Sequence, residues 1–124
     1  MQTVVIGTYD LPAESKQAFL ELIGEVQDYL RTLPGFVEDL RCQRGDEGQD
    51  ASGDDGGGAA RTSAGAAQVR CRIVTVAVWE DEEAYKNAAE AVSTWNRQRG
   101  VDTQALAKAM GVVGERVVFR RLPD

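Results

Sequence analysis

The sequence contains no histidine. That removes imidazole metal ligands, Ser-His-Asp and Cys-His catalysis, and a His-ligated haem in one step. Two cysteines, Cys42 and Cys71, are too few for a disulfide scaffold or a Cys-only zinc site. Both are expected to remain thiols. Neither a P-loop nor a dinucleotide-binding glycine fingerprint occurs. No apolar run approaches the roughly 18 residues that a membrane span needs. The opening residues MQTVVIGTYD lack the basic start and apolar stretch of a secretory signal. The expectation is therefore a cytoplasmic chain without a membrane partner. Basic residues are outnumbered 20 to 14, a net charge of −6, which argues against nucleic-acid binding. Chemistry is left to carboxylates, Arg, Lys, Tyr, Trp, Asn and backbone groups.

What is present suits one domain. The chain has 124 residues, 43% of them hydrophobic. A chain of this size buries roughly two-thirds of the surface its unfolded form exposes. One stretch, Gly45 to Gln68, holds seven of the thirteen glycines and five acids against one arginine. It has no aromatic residue and no Val, Ile, Leu or Met, so it has little to bury against its ordering entropy. It reads as a flexible Gly/Asp/Ala-rich insertion at about 45–68 within a single domain spanning 1–124.

The flanking segments alternate between strand and helix signals. Thr3 to Tyr9 is short and β-branched, as strands are. Pro12 suits the first turn of a helix. Phe19, Leu22, Ile23, Val26, Leu30 and Leu33 then form one helical stripe, stopped by Pro34-Gly35. Phe36 to Gln43 reads as a second strand, with Phe36, Leu40 and Cys42 on one side. Val69 to Glu80 is the strongest strand signal. Its odd positions, Val69 through Trp79, share one face, and Val74, Val76 and Val78 share the other. Both faces are apolar, whereas a half-exposed strand alternates. One face can take the chain's own helices; the other implies a second copy.

Asp81 is a predicted N-cap, with Glu82 and Glu83 in the first turn. Tyr85, Ala88, Val92 and Trp95 form the stripe of a second helix ending at Gly100. Asp102 caps a shorter helix that ends near Gly111, and Glu115 to Leu122 is the last strand. The predicted fold is α+β: a ferredoxin-like βαββαβ order with a four-stranded antiparallel sheet and an extra short helix. Two copies are expected to pair through their sheet faces as a dimeric α/β barrel.

Two junctions carry a resemblance. Leu33-Pro34-Gly35-Phe36 leads into the second strand, and Trp79-Glu80-Asp81-Glu82-Glu83-Ala84 leads out of the third. At these places in a βαββαβ order, they resemble the Pro-Gly-Phe turn and Trp-x-Ser-x-Glu-Ala junction of the antibiotic biosynthesis monooxygenase family. Asp81 stands where the family has Ser, with the same capping chemistry. The resemblance spans most of residues 3–122, apart from the insertion.

The resemblance implies a chemistry. Members that oxidise polycyclic phenols without a cofactor carry an Asn four residues before the Trp, a Tyr six after it and an Arg about twenty after it. Trp79, Tyr85 and Arg99 occupy three of these positions, and Thr75 stands in place of the Asn. These four are the candidate catalytic residues. Trp95, Phe19 and Ile23 are the candidate substrate-binding residues. The implied activity is a cofactor-independent monooxygenase on an aromatic or polyketide-like molecule. The family's haem-degrading branch needs a histidine ligand that this chain lacks. A non-catalytic small-ligand module and a cofactor-free isomerase or cyclase remain alternatives on the same fold. Glu80 is a candidate base if its side chain reaches the pocket.

Overall fold

The computed structural model describes residues 1–45 and 70–123. The predicted insertion, Gly45 apart, lies outside the described residues. The described elements are β1 (Thr3–Pro12), a single 3-10 turn (Ala13–Ser15), α1 (Lys16–Leu30), β2 (Phe36–Gln43), β3 (Arg70–Trp79), α2 (Glu82–Arg99), α3 (Thr103–Ala109) and β4 (Val113–Arg120). The strands form one antiparallel sheet in the order β2-β3-β1-β4. β3 thus lies between β1 and β2, which is the split βαβ arrangement the sequence predicts.

Register assigns the faces, because residues directly opposite one another in a ladder point to the same side. Thr3, Val5, Gly7, Tyr9 and Leu11 of β1 face the helices, opposite Trp79, Ala77, Thr75, Ile73 and Cys71 of β3. Leu11, Phe19, Cys71 and Ile73 make one buried cluster, and Val5, Trp79 and Ala88 another. Each joins the sheet to a helix. Trp79 is 1% exposed and Phe19 2%.

Three local expectations change. Pro12 is not in a helix: it ends β1 opposite Arg70 and precedes the 3-10 turn, so the strand runs three residues past Tyr9. Its fixed φ of −62° suits either setting. Phe36 does not share a face with Leu40 and Cys42. A bulge between Phe36 and Glu38 inserts a residue and reverses the parity. Phe36 therefore meets Trp79 edge to face at 5.5 Å, while Leu40 and Cys42 lie on the sheet's outer side. Cys42 and Cys71 are not bridged, as expected: Cys42 lies opposite Val74 and Cys71 opposite Leu11, on different faces. The last strand begins at Val113, two residues before the predicted start.

The helix ends follow their predicted chemistry. The Asp81 carboxylate accepts the Ala84 N–H at 2.8 Å, and Asp102 accepts that of Ala105 at 3.0 Å. Gly100 closes α2 at φ 69°, and Gly111 follows α3 at φ 82°, the left-handed region that glycine adopts without a Cβ clash. The two junction motifs dock on each other. The Glu80 N–H donates to the Gly35 carbonyl at 2.8 Å, and Gly35 packs against Ala84 with no room for a side chain.

Candidate active site

A cavity of about 290 Å³ lies between the sheet and the helices, with α1, α2 and α3 around it. It exists because small residues stand where a filled core would have large ones. Gly7 and Ala77 form part of its floor, and Ala88, Ala89 and Ala107 line its helical side. Gly7 is central. It faces Thr75 on one neighbouring strand and Arg116 on the other. Without a side chain of its own, it leaves space that Tyr9 and Thr75 enter. A Cβ at Gly7 would stand 2.6 Å from Tyr9 Oη and 2.9 Å from Thr75 Oγ1. Two hydroxyls therefore converge over the same glycine.

The walls are apolar. Trp79 closes the β3 end, and Phe19, Leu22, Ile23 and Val26 line it from α1. Tyr9 leans on Phe19 with ring centroids 5.1 Å apart and covers Gly114 on β4. Tyr85 enters from the first turns of α2.

Two polar features stand at opposite edges of the sheet. On the β2 side, Asp39 lines the cavity with its side chain 6% exposed. Its Oδ1 accepts from Arg31 Nη2 at 3.1 Å, while Oδ2 accepts no bond, and neither does the buried Gln27 Oε1. On the β4 side, Arg116 lines the cavity opposite Gly7, beside Tyr85 and Tyr9. Desolvation works against its charge, but the two tyrosines outweigh it. Its pKa is raised above the ordinary arginine value.

Five of the seven predicted site residues meet here: Trp79, Tyr85, Thr75, Phe19 and Ile23 all line the cavity. The structure does not bring Arg99 and Trp95 to it. Both lie further along α2, where Trp95 stacks on Tyr29 of α1 at 4.3 Å with the rings 8° apart. The Arg99 guanidinium covers Trp95 at 3.6 Å, pairs with Glu25 at 3.1 Å and donates to Asn96 Oδ1 at 3.0 Å. The physical reason is helical geometry. Residues 85, 88, 92, 95 and 99 share one stripe, but at 1.5 Å per residue Trp95 and Arg99 lie about 15 and 21 Å beyond Tyr85 along the helix axis. Arg99 serves the α1–α2 contact. Glu80 is exposed and absent from the cavity wall. Among the described residues, no group of three or more Cys, Asp and Glu is placed to hold a metal ion.

Sequence reading missed Gly7, Tyr9 and Arg116. Signals for them existed. A glycine inside a β-branched strand marks a close approach. Arg116 shares parity with Val118, which places a cation on the helix side of β4.

Comparison with solved structures places the fold. SnoaB from Streptomyces nogalater, a cofactor-independent oxygenase, is similar at a TM-score of 0.61 and 13% identity, covering 100% of this chain and 97% of SnoaB. A monooxygenase from the gene ActVA-Orf6 of Streptomyces coelicolor, solved with nanaomycin D, matches at 0.54 and 20% identity, over 99% and 93% of the two chains. A Nitrosomonas europaea protein assigned to the antibiotic biosynthesis monooxygenases matches at 0.62 and 15% identity, over 98% and 90%. This chain has the fold of the antibiotic biosynthesis monooxygenases. No protein-family model matches the sequence, and no curated protein does. At these identities the likeness concerns the fold, and activity must be argued from the site.

Proposed function

We propose that this protein is a cofactor-independent monooxygenase that oxidises a flat aromatic or polyketide-like compound in the cavity over Gly7. One observation carries the reading: Trp79, Tyr85 and Thr75 converge on a small-residue cavity, in a fold shared with a cofactor-independent oxygenase. At about 290 Å³ the space is near the lower end of the ~300–1,000 Å³ typical of small-molecule sites. That favours a compact ligand of few rings.

Such a substrate supplies its own electrons. An anthrone that has lost its methylene proton is electron-rich enough to react with dioxygen. A carbon–oxygen bond forms to give a peroxide, the O–O bond breaks with loss of water, and the carbon is left as a quinone carbonyl. One oxygen atom enters the product and the other leaves as water. The apolar wall of Trp79 and Phe19 would hold the rings and exclude bulk water. Thr75, Tyr9 and Tyr85 would supply hydroxyls along the edge where charge develops. Among the described residues, the one carboxylate lining the cavity, Asp39, is held by Arg31. The substrate is therefore best supplied already ionised.

The test is oxygen consumption with anthrones, naphthols and simple phenols, with product quinone followed by absorbance. Uptake of one dioxygen per quinone formed is the expected result. Ligand binding without oxygen uptake across the panel would instead identify a binding module, and conversion without oxygen an isomerase or cyclase.

A homodimer is part of the same reading. Proteins of this fold typically pair, and the sheet's outer face is apolar across all four strands. A second copy would cover it.

A further inference from the structure

The cavity is electrically lopsided. Arg31 neutralises Asp39 at the β2 edge. Arg116 at the β4 edge lies against two neutral phenols. The arginine–carboxylate pairs found among the described residues are Arg31 with Asp28 and Asp39, Arg70 with Asp10, and Arg99 with Glu25. Arg116 is in none of them. A guanidinium that lines an apolar cavity, with no carboxylate partner among the described residues, is what a ligand's oxyanion would complete.

We propose that Arg116 is the specificity-determining residue of this cavity, and that it selects a flat apolar ligand bearing an oxyanion: a carboxylate, or an ionised phenol or enol. The inference rests on the cavity being the substrate site and adds the ligand's charge and orientation. The anionic oxygen lies toward β4, within reach of Arg116 and the Tyr9 and Tyr85 hydroxyls. The rings extend over Gly7 toward Trp79. Arg116, on strand β4, takes the place that the sequence resemblance gave to Arg99 of helix α2.

The experiment is calorimetric binding at neutral pH, on the full chain, of 2-naphthoate and of its neutral analogue 2-naphthamide. 2-Naphthol is titrated at rising pH to separate phenolate from carboxylate recognition. The parent protein is expected to bind naphthoate about tenfold or more tightly than naphthamide, about 1.4 kcal/mol. Arg116→Gln keeps donors and removes the charge, so it should abolish that preference. Arg116→Lys should keep part of it. An arginine stays charged through the working range, so naphthol affinity should rise only as naphthol itself ionises. Equal affinity for the acid and the amide in the parent, no measurable naphthoate binding, or a preference that survives in Arg116→Gln would each overturn the proposal. Thermal melting of each variant checks folding, which an exposed edge-strand position should preserve. Charge-selective binding without oxygen consumption would leave this inference standing and remove the oxygenase reading. Oxygen consumption indifferent to Arg116→Gln would do the reverse.

Discussion

A methyl group at position 7 would enter space already taken by the Tyr9 and Thr75 hydroxyls. Because Gly7 is buried in the middle of a paired strand, the backbone cannot simply yield. Gly7→Ala should displace Tyr9 and cost roughly 1–3 kcal/mol, the usual range for overpacking. It should appear as a melting temperature several degrees lower together with weaker ligand binding. An unchanged melt would show that Tyr9 moves freely and that the glycine is incidental. The opposite expectation applies at Arg99. Its guanidinium caps the Tyr29–Trp95 stack away from the cavity. Arg99→Ala should cost about 1 kcal/mol or less, the scale of a partly exposed cation–π contact and ion pair, and leave ligand binding and turnover as in the parent. Reduced turnover with an unchanged melt would return Arg99 to the mechanism.

Between elements, one contact explains why two short motifs predicted the fold so well. Gly35 adopts φ 86° and lies against Ala84, while its carbonyl takes the Glu80 N–H. The turn before β2 and the start of α2 are thus one packed joint, and Phe36 seats its ring edge on Trp79 beside it. Gly35→Ala should be strongly destabilising, by more than about 1 kcal/mol, because it combines an unfavourable φ with a steric clash. Urea unfolding would read this as a lower midpoint with little change in slope; an unaltered midpoint would contradict the joint. Such motifs record packing, which is why the strands and helices were legible from local pattern while part of the site was not. Trp79, Tyr85 and Thr75 reach the cavity wall because each is tied to that joint or to its strand. The bulge at Phe36 has no signature in hydrophobic alternation, so the outer side of β2 was misassigned. Tyr9 and Arg116 become site residues only through the register of β1 with β3 and β4, a long-range property that no local window contains. Arg99 was misplaced for the converse reason. Residue 99 shares the helical stripe of residue 85 but lies about 21 Å further along the axis, so a shared face is not a shared site.

For the molecule as a whole, the open question of physical chemistry is the outer sheet face. Leu40, Val76, Ile6 and Val117 make one unbroken row across four strands, and Val78, Val4 and Phe119 continue it on the next. Leu40, Val117 and Phe119 are 47%, 40% and 48% exposed. Isolated apolar residues on a surface need no explanation, but a contiguous patch of this kind marks an interface. Glu38 and Glu115 stand at opposite corners of the patch, so the charges lie at its rim, the arrangement common to protein interfaces. A two-fold pairing would bury the face against itself and leave no surface to propagate into a fibre. Val76 lies opposite both Ile6 and Leu40, at the centre. Val76→Asp would place carboxylates there without partners, a cost of several kcal/mol if they remain charged. The parent protein is expected to sediment as a dimer at micromolar concentration, and Val76→Asp as a monomer or an unfolded chain. Phe119→Ser, at the exposed edge, should weaken the dimer while preserving the melt of the subunit, so dissociation can be separated from unfolding. A parent protein that sediments as a stable monomer would mean that the face is covered in some other way, and the paired-barrel assembly would be withdrawn.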